Sequence, residues 1–374
     1  MLFKFLFIMG TRPEIIKMAP VIIQARKEGN IKAEILHTGQ HRTLAEEMFK
    51  HFELTPDYDL AVMQENQSLF ELTARITNGI GEVLEKNSDY DMIFVQGDTT
   101  SAFLGALCGF YKKIPVAHIE AGLRTQDKYS PFPEEINRRL VTPIASLHFA
   151  PTKRAAEMLL AEGIEEKYIK ITGNTVIDAL LQSVEKDYEL LPGVERILEM
   201  PGRLILVTTH RRENFGDPHR QIFQALLDIS KKYEDVKILL PLHLNPNVRN
   251  EAKLILDDKP RILLTEPLSY RNFITAMKYS TIIMSDSGGV QEEAPSLHKP
   301  VLVLRDSTER PEGVETGALK IVGTCRKTIV EETSRLLDDV KAYERMAEAP
   351  NPYGDGKSSQ RIVEEACKYL RGLN

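Results

Sequence analysis

Residues 281–295 read Thr-Ile-Ile-Met-Ser-Asp-Ser-Gly-Gly-Val-Gln-Glu-Glu-Ala-Pro, an apolar run followed by a glycine-containing turn. The run 281–285 predicts a buried strand, and the turn at 287–289 predicts the start of a helix. Glycines let an anion approach backbone N–H groups, and the positive end of the helix dipole favours negative charge there. Glu293 follows about 6 Å along the axis, roughly the offset from a pyrophosphate to its ribose hydroxyls. The stretch predicts an α/β unit that cradles a nucleoside diphosphate.

An ordinary capped helix is the alternative interpretation of the same turn. Asp286 and Ser287 are both good N-cap residues, and acidic side chains are common in the first turn of a helix. The rest of the chain decides between the two interpretations.

Short apolar runs alternate with longer amphipathic stretches along the whole chain, which is typical of parallel strands joined by helical crossovers. Strands are predicted at residues 3–9, 33–38, 92–96, 115–119, 147–150, 168–172, 204–208, 236–241, 262–265, 281–285, 301–304 and 319–322. Helices are predicted at residues 13–28, 69–87, 101–111, 134–146, 153–162 and 176–187. The fold class is therefore α/β, with two successive doubly wound, Rossmann-like domains that meet at a ligand cleft.

The domain boundary is placed where the alternation restarts. We expect an N-terminal domain at residues 1–172 and a C-terminal, nucleotide-binding domain at residues 173–357. A last helix, at about 358–374, follows the turn-rich stretch 351–356 and is expected to pack back onto the first domain.

Composition excludes several classes of protein. With a formal net charge of −6 over 374 residues, the chain lacks the basic face of a general nucleic-acid binder. Cys108, Cys325 and Cys367 are far apart, so we expect no structural zinc and a reduced compartment. The apolar start at residues 1–9 is too short to span a membrane and has no cleavage-site pattern. We expect a soluble, cytoplasmic protein.

Polar residues stand where ligands bind in open α/β sheets, beyond the carboxyl ends of the strands. Arg12 follows the first strand and has Lys17 one helical turn further on. Asp98 and Glu120 end two central strands of the first domain. An ordinary exposed arginine at Arg12 and helix capping by Asp98 are the alternatives. For Glu120 a functional role is favoured.

Glu134 and Arg138 stand four residues apart on a helix that opens after Pro131-Phe132-Pro133. At this spacing the two side chains are close enough to pair across one turn. A solvated surface ion pair is the alternative, although the proline-rich loop favours a site.

Positive charge follows the first strand of the second domain. His210 stands at that strand end, and Arg211 and Arg212 supply the cations that a diphosphate needs. His243 and Arg310 are further candidates. No nucleophile elbow occurs in the chain, so nucleophilic catalysis is not indicated. Cations that hold a diphosphate opposite carboxylates that handle protons or positive charge suit a sugar nucleotide.

Six motifs occur in order along the chain. They are residues 10–20 (Gly-Thr-Arg-Pro-Glu-Ile-Ile-Lys-Met-Ala-Pro), 97–100 (Gly-Asp-Thr-Thr), 118–124 (His-Ile-Glu-Ala-Gly-Leu-Arg), 173–178 (Gly-Asn-Thr-Val-Ile-Asp), 210–213 (His-Arg-Arg-Glu) and 286–295. Together they closely resemble the non-hydrolysing bacterial and archaeal UDP-N-acetylglucosamine 2-epimerases, over essentially the whole chain. The resemblance implies the GT-B fold, UDP bound between two Rossmann-like domains, and interconversion of UDP-N-acetylglucosamine and UDP-N-acetylmannosamine.

The resemblance also implies a mechanism and a set of site residues. UDP is eliminated to give 2-acetamidoglucal and then re-adds, which needs no metal and no nicotinamide or other cofactor. The implied catalytic residues are Asp98, Glu120, Glu134, Arg138 and His210, without an assignment of which carboxylate removes the proton. The implied substrate ligands are Arg12, Lys17, Asp98, Glu120, His210, Leu268, Phe273, Ser287, Gly288, Gly289, Glu293 and Arg310. Phe273 is expected near the uracil, and Leu268 stands where some relatives have glutamine. A homodimer is also implied.

One departure concerns a second, regulatory substrate site, which bacterial members build from a Gln-His-Arg-Gln segment and a downstream arginine. Gln40 and His41 match that segment, but Thr43 replaces its second glutamine, and Asn and Gln occupy residues 66–67 near the place of the arginine. Arg211 is a further candidate for this site. We expect weaker cooperativity toward a second UDP-N-acetylglucosamine.

Three other functions share part of this pattern. A hydrolysing epimerase has the same fold but releases UDP and free N-acetylmannosamine. A GT-B glycosyltransferase would have a similar diphosphate cradle without an obvious need for three carboxylates at the sugar. A catalytically inactive nucleotide-sugar sensor need not keep Asp98, Glu120 and Glu134, yet all three are present.

Overall fold

The computed structural model describes residues 2–40, 42–64, 66–125, 127–186, 188–211 and 214–373. The chain divides into two compact units, of which the first comprises Met1–Ala179 with Tyr353–Asn374 and the second Leu180–Pro352. The division thus falls within a helix, Thr175–Val184, whereas the sequence predicts it at 172/173. No helix within the described residues combines the length and apolarity that crossing a membrane requires.

The first unit is built on a parallel sheet that has seven strands in the described residues, in the order β3-β2-β1-β4-β5-β6-β7. Its strands are β1 (Phe3–Met9), β2 (Ile31–His37), β3 (Tyr58–Asp59), β4 (Met92–Gln96), β5 (Val116–Ile119), β6 (Leu147–Ala150) and β7 (Ile169–Ile171). Its helices are α1 (Arg12–Lys27), α2 (Arg42–His51), α3 (Leu69–Lys86), α4 (Thr100–Tyr111), α5 (Glu134–Val141), α6 (Lys153–Ala161), α7 (Thr175–Val184) and, at the end of the chain, α16 (Ser358–Leu373).

The second unit repeats the arrangement with six parallel strands in the described residues, in the order β10-β9-β8-β11-β12-β13. Its strands are β8 (Arg203–Thr208), β9 (Val236–Pro241), β10 (Ile262–Thr265), β11 (Ile282–Ser285), β12 (Val301–Val303) and β13 (Leu319–Ile321). Its helices are α8 (Pro192–Glu199), α9 (Asp217–Lys232), α10 (Pro246–Leu256), α11 (Tyr270–Tyr279), α12 (Gly288–Glu293), α13 (Pro311–Glu315), α14 (Arg326–Asp338) and α15 (Val340–Ala347).

The central strands are apolar because helices cover both faces of each sheet. In β1, for example, Phe5, Phe7 and Met9 are buried on one face and Leu6 and Ile8 on the other. The predicted α/β, doubly wound class is confirmed. In each sheet the strand order reverses once, between β1 and β4 and between β8 and β11, and such reversals are where ligands bind.

The end of the chain is anchored to the first unit by a buried carboxylate. Asp178 accepts hydrogen bonds from the backbone N–H groups of Ser358 (3.2 Å) and Ser359 (2.8 Å), and from the Ser359 hydroxyl (2.6 Å). These bonds satisfy N–H groups at the start of α16 that have no partner within the helix. The helix then packs against α1.

Several elements differ from the sequence prediction, which placed no helix at α2, at α8 to α11 or at α13 to α15. Strand β3 was not predicted, because two residues are too few to show a period. Helix α5 ends at Val141, whereas the prediction extended it to residue 146, because apolar residues continue into the turn that precedes β6.

Candidate active site

A pocket of about 350 Å³ opens beyond the carboxyl ends of β1, β4 and β5 in the first unit. Its described lining includes all three carboxylates that the sequence singled out for catalysis, Asp98, Glu120 and Glu134. The remaining lining residues are Thr11, Pro13, Glu14, Lys17, Gln40, Leu69, Gln96, Gly97, Thr99, Thr100, Pro133 and Asn137. Residues far apart in the chain meet here because parallel strands end at the same edge of the sheet.

Glu14 shapes the entrance of α1 rather than presenting a free carboxylate. Its Oε2 atom accepts from the backbone N–H groups of Gly10 (3.0 Å) and Thr11 (2.7 Å), and its Oε1 accepts from the Thr99 hydroxyl (2.7 Å). Burial raises the pKa of Glu14 above its ordinary value, although these hydrogen bonds oppose the shift. The side chain joins the loops after β1 and β4 and thereby fixes the pocket wall.

Glu120 is held in place by three side chains from separate parts of the chain. Lys17 Nζ lies 2.6 and 2.8 Å from its two carboxylate oxygens. Gln96 Nε2 donates to Oε2, and Asn174 Nδ2 donates to Oε1 over 3.0 Å. The residue itself has a left-handed backbone with φ of 62°, a conformation that costs energy for a residue with a side chain. The carboxylate is therefore rigidly placed at the end of β5.

Asp98 pairs with Arg138, which was predicted to pair with Glu134. Arg138 Nε lies 3.1 Å from Asp98 Oδ2, and its Nη2 also donates to that oxygen. The same guanidinium contacts Glu135 Oε2 at 3.3 Å, and Asn137 Nδ2 donates to the Asp98 carbonyl at 2.9 Å. The predicted ion pair of Arg138 with Glu134 is wrong, because the guanidinium lies between Asp98 at the strand end and Glu135 on its own helix.

Glu134 differs from the other two carboxylates in its contacts. It is the first residue of α5 and is half-buried. Its Oε2 atom is shielded from solvent and has no hydrogen-bond partner among the residues that the structure describes. A buried carboxylate oxygen without a partner is costly to keep, so such atoms are frequent at functional sites.

Two buried histidines lie behind the pocket. His118 on β5 has no solvent exposure, and its Nε2 lies 2.8 Å from the Gly97 carbonyl, to which it donates. Burial lowers the pKa of His118 to about 4 and that of His148, on β6, to about 3. Both are neutral at pH 7, and the bond from His118 to Gly97 supports the loop that carries Asp98.

In the second unit, Asp286 lies at the end of β11 and organises the loop after β8. The carboxylate is fully buried. Its Oδ2 accepts from the Thr209 hydroxyl (3.0 Å), from the backbone N–H groups of His210 (2.9 Å) and Arg211 (2.9 Å), and from Asn214 Nδ2 (3.0 Å). One carboxylate thereby fixes the segment that carries the predicted cations.

The Ser287-Gly288-Gly289 turn opens α12 as predicted, and two arginines lie beside it. A methyl group added at Gly288 would lie 3.8 Å from Arg310 Nη2 and 4.0 Å from Arg211 Nη2. Ser287 occupies the N-cap position but makes no capping hydrogen bond with its side chain, so its hydroxyl is not committed to the helix. Arg310 Nε donates to Glu292, which orients the guanidinium.

His210 has a half-exposed side chain, with 44% of its surface accessible. Partial burial of the ring lowers the pKa of His210 below its ordinary value, and the negative charge of Asp286 opposes that shift. The Nδ1 atom lies 3.2 Å from Asp286 Oδ1.

The remaining predicted residues occupy varied positions. Arg12 is half-buried at the first residue of α1 and is not among the described residues that line the pocket. Leu268 and Phe273 are half-buried before and within α11, and Glu293 is buried at the end of α12. Gln40 accepts from the Ser101 hydroxyl at 3.1 Å. Outside the described residues lie His41, Arg212 and Glu213, and the side chains of Arg42 and Thr43.

Sequence reasoning missed the amides that hold the carboxylates, namely Gln96, Asn137, Asn174 and Asn214. Gln96 ends β4 and Asn174 lies three residues beyond the end of β7, so the rule that selected Asp98 and Glu120 could have selected both. Asn137 and Asn214 lie within a helix and a loop and show no such signal.

A family model described as UDP-N-acetylglucosamine 2-epimerase matches residues 23–366. The UDP-N-acetylglucosamine 2-epimerase of Bacillus subtilis is 47% identical over 362 residues, which cover 97% of this chain and 94% of the relative.

Solved structures match nearly the whole chain. The UDP-GlcNAc 2-epimerase of Neisseria meningitidis bound to UDP-GlcNAc is 46% identical with a TM-score of 0.85, over 98% of this chain and 100% of that one. The Methanocaldococcus jannaschii enzyme in complex with UDP-GlcNAc and UDP is 36% identical with a TM-score of 0.75, over 99% and 100%. The GT-B fold class implied by the resemblance is thereby confirmed.

Proposed function

Since the chain belongs to the UDP-N-acetylglucosamine 2-epimerase family, we propose that it is an isomerase that interconverts UDP-N-acetylglucosamine and UDP-N-acetylmannosamine without hydrolysis. The observation that carries the proposal is the single pocket lined by Asp98, Glu120 and Glu134. Epimerisation needs groups that move a proton and groups that balance charge on the sugar, and this pocket contains both.

The proposed reaction proceeds by elimination and re-addition, because the C2 proton of the sugar is too weakly acidic for direct removal. The bond between C1 and the UDP oxygen breaks with its electron pair leaving on UDP, and a base takes the C2 proton. The C2–H electrons form the C1=C2 bond of 2-acetamidoglucal. UDP then re-adds at C1 while a proton is delivered to C2 with the opposite configuration.

The contacts of the three carboxylates support different roles. Lys17, Gln96 and Asn174 hold Glu120, and Arg138 holds Asp98. Both are suited to stabilise positive charge that develops on the sugar. Because its Oε2 atom is shielded and without a described partner, we assign removal of the C2 proton to Glu134 and its return on the opposite face to a second acid of the same pocket.

The diphosphate is assigned to the Ser287-Gly288-Gly289 turn in the second unit. Backbone N–H groups at a helix start and two neighbouring guanidinium groups, of Arg211 and Arg310, suit an anion. His210 would add positive charge to the departing UDP. Arg12 is assigned to the same diphosphate, Glu293 to the ribose, and Leu268 and Phe273 to the uracil.

Assembly and regulation follow the same proposal. We propose a homodimer, and large exposed apolar side chains on the helices of the first unit, such as Phe70 (88% exposed) and Tyr111 (65%), are available for a partner copy.

Gln40, His41 and Arg211 remain candidates for a regulatory site, with weaker cooperativity because of Thr43. A strongly sigmoidal rate curve that His41→Ala abolishes would contradict this expectation.

The test is incubation with UDP-N-acetylglucosamine in deuterated water, followed by ¹H and ³¹P NMR. We expect deuterium at C2 of both epimers, with UDP still attached to the sugar at equilibrium. Accumulation of free N-acetylmannosamine and UDP would instead identify a hydrolysing enzyme. Absence of any exchange would overturn the epimerase proposal and leave a glycosyltransferase or a nucleotide-sugar sensor. Glu134→Gln serves as the matched variant, because it should bind substrate and lose the exchange.

A further inference from the structure

Asp286 carries a buried negative charge to which the proposed reaction gives no role. It accepts hydrogen bonds from Thr209, Asn214 and two backbone N–H groups through one oxygen, Oδ2. All four donors come from the loop after β8.

The second oxygen, Oδ1, accepts from the backbone N–H of His210 at 3.2 Å and also lies beside the imidazole of the same residue. The distance from Oδ1 to Nδ1 is 3.2 Å, and the ring is otherwise half-exposed. A carboxylate oxygen and an unprotonated ring nitrogen at this distance would repel each other through their lone pairs, so the nitrogen beside Oδ1 is the one that carries the proton. That leaves Nε2, on the far side of the ring, as the nitrogen that can bind a proton or a ligand.

We propose that Asp286 is a positioning residue for His210, which it fixes as the Nδ1–H tautomer and whose positive charge it balances once Nε2 binds a proton from solvent. The imidazolium is then available to neutralise the diphosphate of the departing UDP. The identity of that anion rests on the proposed function, whereas the tautomer and the charge balance do not.

The charges around His210 make this balance necessary. Arg211 from the same loop, and His243 and Arg305 from two other segments, each disfavour an imidazolium. Burial acts in the same direction and lowers the pKa of His210, while Asp286 raises it. Removing the negative charge should therefore lower the pKa of His210 further.

The neighbouring Thr209 offers a matched control. Its hydroxyl donates to Asp286 and lies 2.8 Å from Nε2 of the buried His219. Thr209→Val keeps the shape of the side chain and removes one of the hydrogen bonds that hold Asp286, but it leaves the negative charge beside His210. Thr209→Val therefore tests the loss of a hydrogen bond that holds Asp286, and Asp286→Asn tests the loss of its negative charge.

The experiment is an NMR titration of the histidine ring nitrogens in the full-length protein, with His210→Gln to assign the resonance. We expect the Nδ1–H tautomer at high pH. Asp286→Asn should lower the pKa of His210 by about one unit or more, and Thr209→Val should leave it unchanged. An Nε2–H tautomer in the unmodified protein would overturn the proposal, and this result does not require that the Asp286 variant folds. Equal titration midpoints in Asp286→Asn and the unmodified protein would overturn it as well.

Two further measurements separate this inference from the epimerase assignment. The limb of the kcat/KM profile that reports His210 should move to lower pH in Asp286→Asn and stay in place in Thr209→Val. An unmoved limb in Asp286→Asn contradicts the inference. UDP alone, as a probe, should raise the pKa of His210 in the unmodified protein, and no change on binding would contradict the role toward the diphosphate. Because the tautomer is measured without turnover, failure of the epimerase assay leaves it interpretable.

Discussion

The two units share one architecture and have opposite chemistry at their strand ends. In the first, the switch point between β1 and β4 gathers carboxylates that are held by amides and cations. In the second, at the switch point between β8 and β11, the buried carboxylate of Asp286 holds the loop that carries His210 and Arg211 beside an open turn. The sheet positions a ligand site in both, and the few residues after each strand decide what binds there.

Glu134→Gln should have the largest effect, because it removes the proposed acid/base group of the first unit and leaves the residues of the second unit unchanged. We expect kcat to fall by ~10³-fold, the usual range for a lost acid/base group, while the Kd for UDP stays the same. Steady-state kinetics and calorimetry measure the two quantities. Glu157→Gln makes the same change on the exposed face of α6 and should alter neither. A variant that keeps more than about a tenth of the rate would remove Glu134 from the mechanism.

Arg310→Ala makes the converse change. A charge-assisted hydrogen bond contributes about 1.5–3 kcal/mol, so the Kd for UDP should rise by roughly 10- to 100-fold. Calorimetry with UDP checks this, and Arg326→Ala, an exposed arginine paired with Asp228 in the same unit, is the control. Unchanged UDP affinity would mean that the diphosphate binds elsewhere.

Gly288→Ala tests whether the turn must stay open. The added methyl group has only ordinary contacts, the shortest being 3.8 Å, so the protein should fold and its Tm should not fall. The methyl group would nevertheless occupy space that phosphate oxygens need, and UDP affinity should drop about tenfold.

Gly81→Ala is the control for that substitution. It lies in α3, where nothing stands within 4 Å of the added carbon. It should stabilise the first unit by roughly 0.5–1 kcal/mol and leave UDP binding unchanged. If both variants retain full affinity, the turn is only a helix start.

The last prediction concerns the contribution of His118, in the first unit, to stability at acid pH. The pKa of His118 in the folded state is about 4, below its ordinary value of 6.5, so the folded protein binds fewer protons than the unfolded chain. The contribution of His118 to the free energy of unfolding is therefore fully present above pH 6.5 and is lost as the pH falls toward 4. We expect a loss of ~1–2 kcal/mol from this residue between pH 6.5 and 5.

Urea unfolding at these two pH values measures that loss, with His118→Gln as the comparison. The variant should depend less on pH, because an amide can still donate to the Gly97 carbonyl without titrating. An identical pH dependence in both proteins would contradict the assignment. At or above pH 5 most carboxylates stay ionised, so their protonation contributes little to the measured pH dependence.

Much of the fold follows from local patterns. The apolar runs locate the strands because a strand covered on both faces must be apolar throughout. The turn at 287–289 and the polar residues after β1, β4, β5 and β8 are visible because ligands of open α/β sheets bind beyond the carboxyl ends of the strands. Strand β3 was missed because two residues show no period, and the end of α5 was misplaced because apolar residues continue beyond it into the turn.

The partners of the site residues could not be read in the same way. Arg138 was paired with Glu134 by helical spacing, but the structure pairs it with Asp98, forty residues away in the chain. The amides of Gln96 and Asn174 also reach Glu120 from distant segments. Such contacts depend on which strand ends are neighbours, and periodicity holds no information about strand order.

The sequence by itself determined the α/β class, the family and the residues that can do chemistry, because strand periodicity and residue type are local properties. Only the tertiary structure decided how that chemistry is divided. It left Glu134 Oε2 shielded without a described partner while it tied down Asp98 and Glu120, and it placed Asp286 against His210. The physical reason is that hydrogen bonding and burial of a carboxylate depend on neighbours brought together by sheet order.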